Sequence, residues 1–134
     1  MDFHLTKEQL LVRKMYREFA ENEVKPLAAE IDEEERFPME TVEKMAKLGM
    51  MGIYFPKEDG AGADVLSYAM CVEELAKVCG TTAVIVSAHT SLCAAPIFEN
   101  GTEEQKMKYL PDLCSGKKIG AFGLTEPGAG TDAQ

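Results

Sequence analysis

Lys118-Ile-Gly-Ala-Phe-Gly-Leu-Thr125-Glu-Pro-Gly-Ala-Gly-Thr131-Asp132 carries most of the information about how this chain is organised. Ile119, Ala121, Phe122 and Leu124 form an apolar run with no charge between Lys118 and Glu126, which predicts a short buried strand. The chain then turns through Thr125-Glu-Pro-Gly-Ala-Gly-Thr131. Pro127 sets its own φ and biases Glu126 away from helix. Gly128 and Gly130 let the main chain approach a ligand closely. Successive backbone N–H groups in such a bend can form an anion-binding concavity, and Thr125 and Thr131 add hydroxyls on either side. Physical chemistry alone leaves two readings: a loop that holds a phosphate or the polar edge of a ring, or an ordinary turn between strands. The run fits neither the phosphate-loop nor the dinucleotide glycine pattern.

Everything before this stretch reads as helix. Thr6 with Gln9 is a capping box. The helix it opens carries Leu10, Leu11, Met15 and Phe19 on one side, and Tyr16, Ala20, Val24, Leu27 and Ile31 extend the stripe. Pro26 predicts a kink near Val24, with helix resuming to about Glu34. Pro38 starts a second helix with Val42, Met45, Ala46 and Leu48 inward, and Gly49 ends it. Met50 to Phe55 is short, apolar and extended in character, and Pro56 to Ala63 is a loop. Asp64 caps a third helix with Val65, Ala69, Val72, Ala76 and Cys79 inward and Glu73, Glu74 and Lys77 outward. Thr81 or Thr82 caps a fourth, interior helix to about Ile97. Thr102 with Gln105 is a second capping box; its helix is interrupted by Pro111 and adds one turn to Cys114.

Composition removes several function classes. The chain has 134 residues, 46% hydrophobic and 28% charged, with a net charge of −9 from 23 acidic and 14 basic residues. Nucleic-acid binding needs clustered cations, which this balance does not supply. Val78 to Phe98 lacks charge, but its Gly, Thr, Ser, His and Pro residues favour a helix buried among helices over a membrane span. Cys71, Cys79, Cys93 and Cys114 have no paired spacing and read as buried free thiols. No metal site is expected: His4 and His89 are unsuitably spaced, and no Glu-x-x-His occurs to make a di-iron bundle of Glu73 and Glu74. Asp32 to Glu35 reads as a solvated helix end, and His89 as a hydrogen-bonded buried histidine. The N-terminus shows neither a signal peptide nor an Arg-rich transit segment.

The run Phe122-Gly-Leu-Thr-Glu-Pro-Gly-Ala-Gly-Thr131-Asp132 resembles the flavin-binding signature of acyl-CoA dehydrogenases, and the chain from Phe3 onward resembles the N-terminal part of a short-chain, butyryl-CoA type member. Val72-Glu-Glu-Leu-Ala-Lys77 and Gly101-Thr-Glu-Glu-Gln-Lys-Met-Lys-Tyr-Leu-Pro111 are similar to the family as well. The resemblance implies an all-α domain, a helical bundle at 1–115, and the first strand and loop of a following β-domain at 116–134. Residues 118–134 would then be poorly anchored without sheet partners.

It also implies an FAD enzyme that oxidises a short-chain acyl-CoA to the trans-2-enoyl-CoA and passes electrons to an electron-transferring flavoprotein. Phe122, Gly123, Leu124, Thr125, Glu126, Pro127, Gly128, Ala129, Gly130 and Thr131 would contact the cofactor. Thr125 would bond the pyrimidine edge of the flavin. Thr131, where the family commonly has Ser, would bond the pyrophosphate and touch the pantetheine arm of the substrate. Ala88 and Ser91 would line the acyl chain. The catalytic Glu is expected beyond residue 134, so no carboxylate here takes that role. A homo-oligomer, tetrameric in the family, is implied, in a bacterial cytoplasm or, as a mature form, the mitochondrial matrix. Two other readings stay open: a helical interaction module without catalysis, and an acyl-CoA oxidase-like flavoprotein.

Overall fold

The computed structural model describes residues 4–133, and among these the regular structure is helical throughout. Helix α1 spans Lys7–Phe19, and its capping box forms as expected: Gln9 N–H donates to Thr6 Oγ1 at 3.1 Å, and Thr6 N–H to Gln9 Oε1 at 3.0 Å. A wide π turn, Ala20–Val24, and a 3-10 turn, Lys25–Leu27, lead into α2, Ala28–Glu34. Helix α3 is Met39–Lys47 and α4 is Val65–Ala76. Helix α5, Gly80–Ser87, passes through a second π segment, Ala88–Ala94, into α6, Ala95–Asn100. Helix α7, Glu103–Cys114, carries the second capping box.

Both π segments end just before a proline. Pro26 and Pro96 have no N–H to give the carbonyl four residues back, and their rings crowd that carbonyl. Widening the preceding turn relieves the clash. Lys25 N–H accordingly bonds Ala20 O, and Ala95 N–H bonds Thr90 O, each five residues back. Pro111 behaves differently from expectation: it sits inside an unbroken α7. It falls in the last turn and on an exposed side, and beyond it Ser115 N–H bonds Pro111 O at 3.2 Å.

The larger core joins Tyr16, Phe19, Ala20 and Val24 to Val42 and Met45, to Met50, Met51 and Ile53, and to Met70, Cys71, Leu75, Ala83 and Val86. A second cluster, Phe55 with Ala94, Ala95, Leu110, Leu113 and Cys114, locks α6 to α7. Met50 to Phe55 is buried except for the half-buried Tyr54, and it is a string of turns, not the extended segment expected. The loop after it folds back: Ala61, Gly62 and Ala63 N–H groups donate to the carbonyls of Gly52, Phe55 and Ile53 at 2.8, 2.8 and 2.9 Å. Gly52 lies against α7, where a Cβ would come within 2.8 Å of Cys114 O.

Several expected faces are corrected. Leu10 and Leu11 point outward from α1, and Leu48 is exposed at the end of α3. On α4, Val65, Ala69 and Ala76 are exposed, while Ser67, Met70, Cys71, Glu74 and Leu75 face inward. The inversion has an electrostatic cause. Glu74 is 2% exposed because three cations surround its carboxylate: Arg13 Nε at 2.8 Å, Arg17 Nε at 3.1 Å and Lys77 Nζ at 2.9 Å. Those partners hold its pKa at about 2, Arg17 most strongly. Helix α5 starts at Gly80, one turn position ahead of the expected Thr81 or Thr82, with Cys79 as its cap residue.

The helix from Gly80 to Asn100 is long and apolar enough to cross a membrane by length and composition. It is packed in the bundle along one side, with Thr82, Val86, His89 and Thr90 buried, while Val84 and Leu92 are open on the other. The four thiols are free. Burial pushes Cys71 up to about 12 and Cys114 up to about 11.

Candidate functional site

The expected strand at Ile119–Leu124 does not form, and no strand is present among the described residues. A strand exists only when its N–H and C=O groups meet a second strand. The helices have used their own backbone groups and offer none. The segment instead runs irregularly along the outside of the bundle, with Ile119, Phe122 and Leu124 38%, 54% and 53% exposed.

Two ties hold the start of this segment. At Lys118, the backbone N–H bonds Asp112 O at 2.9 Å and Nζ meets the Asp112 carboxylate at 2.8 Å. Lys118, and Lys117 beside it, keep Asp112 below the usual carboxylate range. The second tie is at Gly120, whose N–H donates to His89 Nδ1 at 2.9 Å. The other ring nitrogen of His89, Nε2, lies 3.1 Å from Leu113 O. Nδ1 accepts, so Nε2 carries the hydrogen and donates. Burial holds His89 below its ordinary pKa, which keeps the ring neutral. The expected buried, hydrogen-bonded histidine is therefore present, and it is 0% exposed.

Beyond Gly120 the chain bends. Glu126 N–H donates to Ala129 O at 2.8 Å and Ala129 N–H to Glu126 O at 3.2 Å, closing Pro127-Gly128 into a tight turn. Around Gly123, Gly128 and Gly130 no atom lies within 4 Å of where a Cβ would sit. The hydroxyls of Thr125 and Thr131 and the N–H groups of Gly128, Gly130 and Thr131 have no hydrogen-bond partner among the described residues. Exposed apolar side chains at Phe122 and Leu124 thus stand next to exposed donors on a loop with open space at three glycines. That donor set fits a planar ring with a polar edge and an attached phosphate.

Ile119, Gly120 and Ala121 also form one wall of an apolar cavity of about 460 Å³. Its other wall is Thr81, Val84, Ile85 and Ala88, one face of α5 running into the π segment, with Phe37 at the rim. Ala88 therefore stands beside the segment leading into the loop. Ser91 is not in this wall; its hydroxyl donates back to Ser87 O at 2.7 Å. Of the wall residues, Ala88 is the one expected there; Val84 and Ile85 carry no sequence signal beyond belonging to an interior helix. Gly120 and His89 were not assigned to a site, because their partners lie 31 and 24 residues away.

The family model described as acyl-CoA dehydrogenase, N-terminal domain, matches residues 6–117, so the chain belongs to the acyl-CoA dehydrogenase family. It is 73% identical over 134 residues to a short-chain specific acyl-CoA dehydrogenase of Clostridium acetobutylicum, covering 99% of this chain and 35% of that protein. Butyryl-CoA dehydrogenase from Megasphaera elsdenii superposes with a TM-score of 0.93 at 46% identity, over 99% of this chain and 36% of its own. A chain in the structure of the electron transferring flavoprotein of Acidaminococcus fermentans superposes with a TM-score of 0.94 at 50% identity, over 99% of this chain and 35% of its own. The chain thus spans about a third of the length of the relatives it matches.

Proposed function

We infer that these residues are the helical domain, 1–115, and the opening of the flavin-binding domain, 116–134, of an FAD-dependent short-chain acyl-CoA dehydrogenase. The observation that carries the reading is the exposed loop from Phe122 to Thr131, where apolar side chains and donor groups without protein partners adjoin an apolar cavity. Bound FAD would supply the hydride acceptor for oxidation of an acyl-CoA to its trans-2-enoyl-CoA. Phe122 and Leu124 would shield the ring from water. The hydroxyl of Thr125 would bond its polar edge, and Thr131 with the N–H groups of Gly128 and Gly130 would hold the pyrophosphate. Glu126 and Ala129 close the bend at Pro127 that places those donors, and Gly123 would lie against the cofactor between Phe122 and Leu124. Thr131 would also touch the substrate's pantetheine arm.

The cavity walled by Ala88, Val84 and Ile85 is proposed for the acyl chain, with Ser91 one turn further along the same helix. The base that removes the α-proton is proposed outside these 134 residues. The electron acceptor we propose is an electron-transferring flavoprotein, which the match to a chain in such a structure supports. The bacterial sources of these relatives support a cytoplasmic location.

Thr125→Val in the full-length protein is the test. It removes the hydroxyl at nearly constant volume, and flavin binding is expected to weaken by roughly ten-fold with a shifted absorption band. Titration of the apoprotein with FAD reads both. An unchanged spectrum, affinity and turnover with butyryl-CoA would take Thr125 out of the site.

A further inference from the structure

The Gly120–His89 bond is the last hydrogen bond between the tail and the helices among the described residues, and the loop begins two residues later at Phe122. It is a built contact. The π segment Ala88–Ala94, forced by Pro96, carries His89 in its first turn and points the ring at the end of α7. Gly120 fits because it has no side chain: a Cβ there would stand 2.7 Å from Cys93 Cβ and 3.3 Å from Leu113 Cδ2. His89, Cys93 and Leu113 thus form a socket that accepts a bare backbone unit and gives its N–H one buried acceptor.

We propose that His89 is a positioning residue for the Phe122–Thr131 loop, its neutral ring fixing where the tail leaves the helical domain by joining Leu113 O to Gly120 N–H. The proposal rests on the reading of that loop as the flavin site. The two ring nitrogens have separable duties. The Nε2–H bond to Leu113 ties the π segment to α7 and acts within the helical domain. The Nδ1 acceptor holds the tail. Breaking the second leaves the bundle intact but lets the loop swing about Lys118, so donors and apolar side chains lose their fixed spacing to the cavity wall.

Asparagine and glutamine separate these duties. The amide of Asn reaches the position of Nδ1, and that of Gln the position of Nε2. In the full-length protein, His89→Asn is expected to keep the acceptor for Gly120 and bind FAD within about three-fold of wild type, while its Tm falls with the loss of the Leu113 bond. His89→Gln is expected to keep the Leu113 bond and most of the Tm, yet bind FAD roughly ten-fold more weakly, as is His89→Leu. Gly120→Ala, which cannot enter the socket, should match His89→Gln. The readouts are FAD dissociation constants from flavin fluorescence and Tm from far-ultraviolet circular dichroism. FAD affinity that simply follows Tm across the variants, or stays at the wild-type value in His89→Leu, overturns the proposal while leaving the flavin site standing. A wild-type protein that takes up no FAD overturns the loop reading and this proposal together.

Discussion

Phe55→Ala is expected to lower the unfolding free energy by about 4 kcal/mol. Phe55 is 0% exposed and is the centre of the smaller core cluster. Its ring meets Tyr54 at a centroid distance of 4.7 Å and Phe98 edge-on at 5.5 Å. The site cannot collapse to fill the void. The segment that carries Phe55 is pinned by the bonds from Ala61, Gly62 and Ala63, and Phe98 is held in α6. A cavity therefore remains, and its cost adds to the lost transfer free energy. Phe37→Ala is the control, because Phe37 is 48% exposed and its removal should cost less than about 1 kcal/mol. Urea unfolding of both variants makes the comparison. Similar midpoints for the two would show that Phe55 is not the centre of a tightly packed cluster.

The second large effect is electrostatic and depends on pH. Glu74 joins α4 to α1 through Arg13 and Arg17 and is closed off by Lys77. Its folded pKa, about 2, lies below its ordinary value of 4.5. A depressed carboxylate contributes stability that is fully present above the unfolded pKa and is lost as pH falls through the folded one. The window is therefore from about 4.5 down to about 2. Arg17 and Lys77 are about half exposed, so solvent screens part of the gain. Glu74→Gln is expected to cost about 2–3 kcal/mol at neutral pH and to flatten the acid limb of stability against pH in that window. If the variant and wild type lose stability in parallel from pH 4.5 to pH 2, the acid sensitivity resides elsewhere.

What could be read from the sequence was local. The capping boxes at Thr6 and Thr102 and the cap at Asp64 close bonds three residues long, so the pattern alone specifies them. Pro26 announced a break but not its form, since proline marks where a helix is hindered and not how the turn before it widens. The faces of α4 were misread because a carboxylate looks solvent-seeking by itself. Two of the three cations that let Glu74 be buried are guanidinium groups 57 and 61 residues away. The apolar run at 119–124 reads as a strand by composition alone, but the helices offer it no backbone partner and no strand forms there. The candidate site divides the same way. Loop residues from Phe122 to Thr131 were recognisable as a motif, and Ala88 through the family resemblance that motif carries. The His89 socket was invisible, because each of its bonds is non-local and the residue it receives, Gly120, has no side chain to signal a role.

The visible absorption spectrum of the full-length protein, after incubation with FAD and removal of the excess, tests the central claim most directly. The loop from Phe122 to Thr131 predicts a retained flavin band that bleaches when butyryl-CoA is added without oxygen. A colourless protein, with no band after reconstitution, would contradict it.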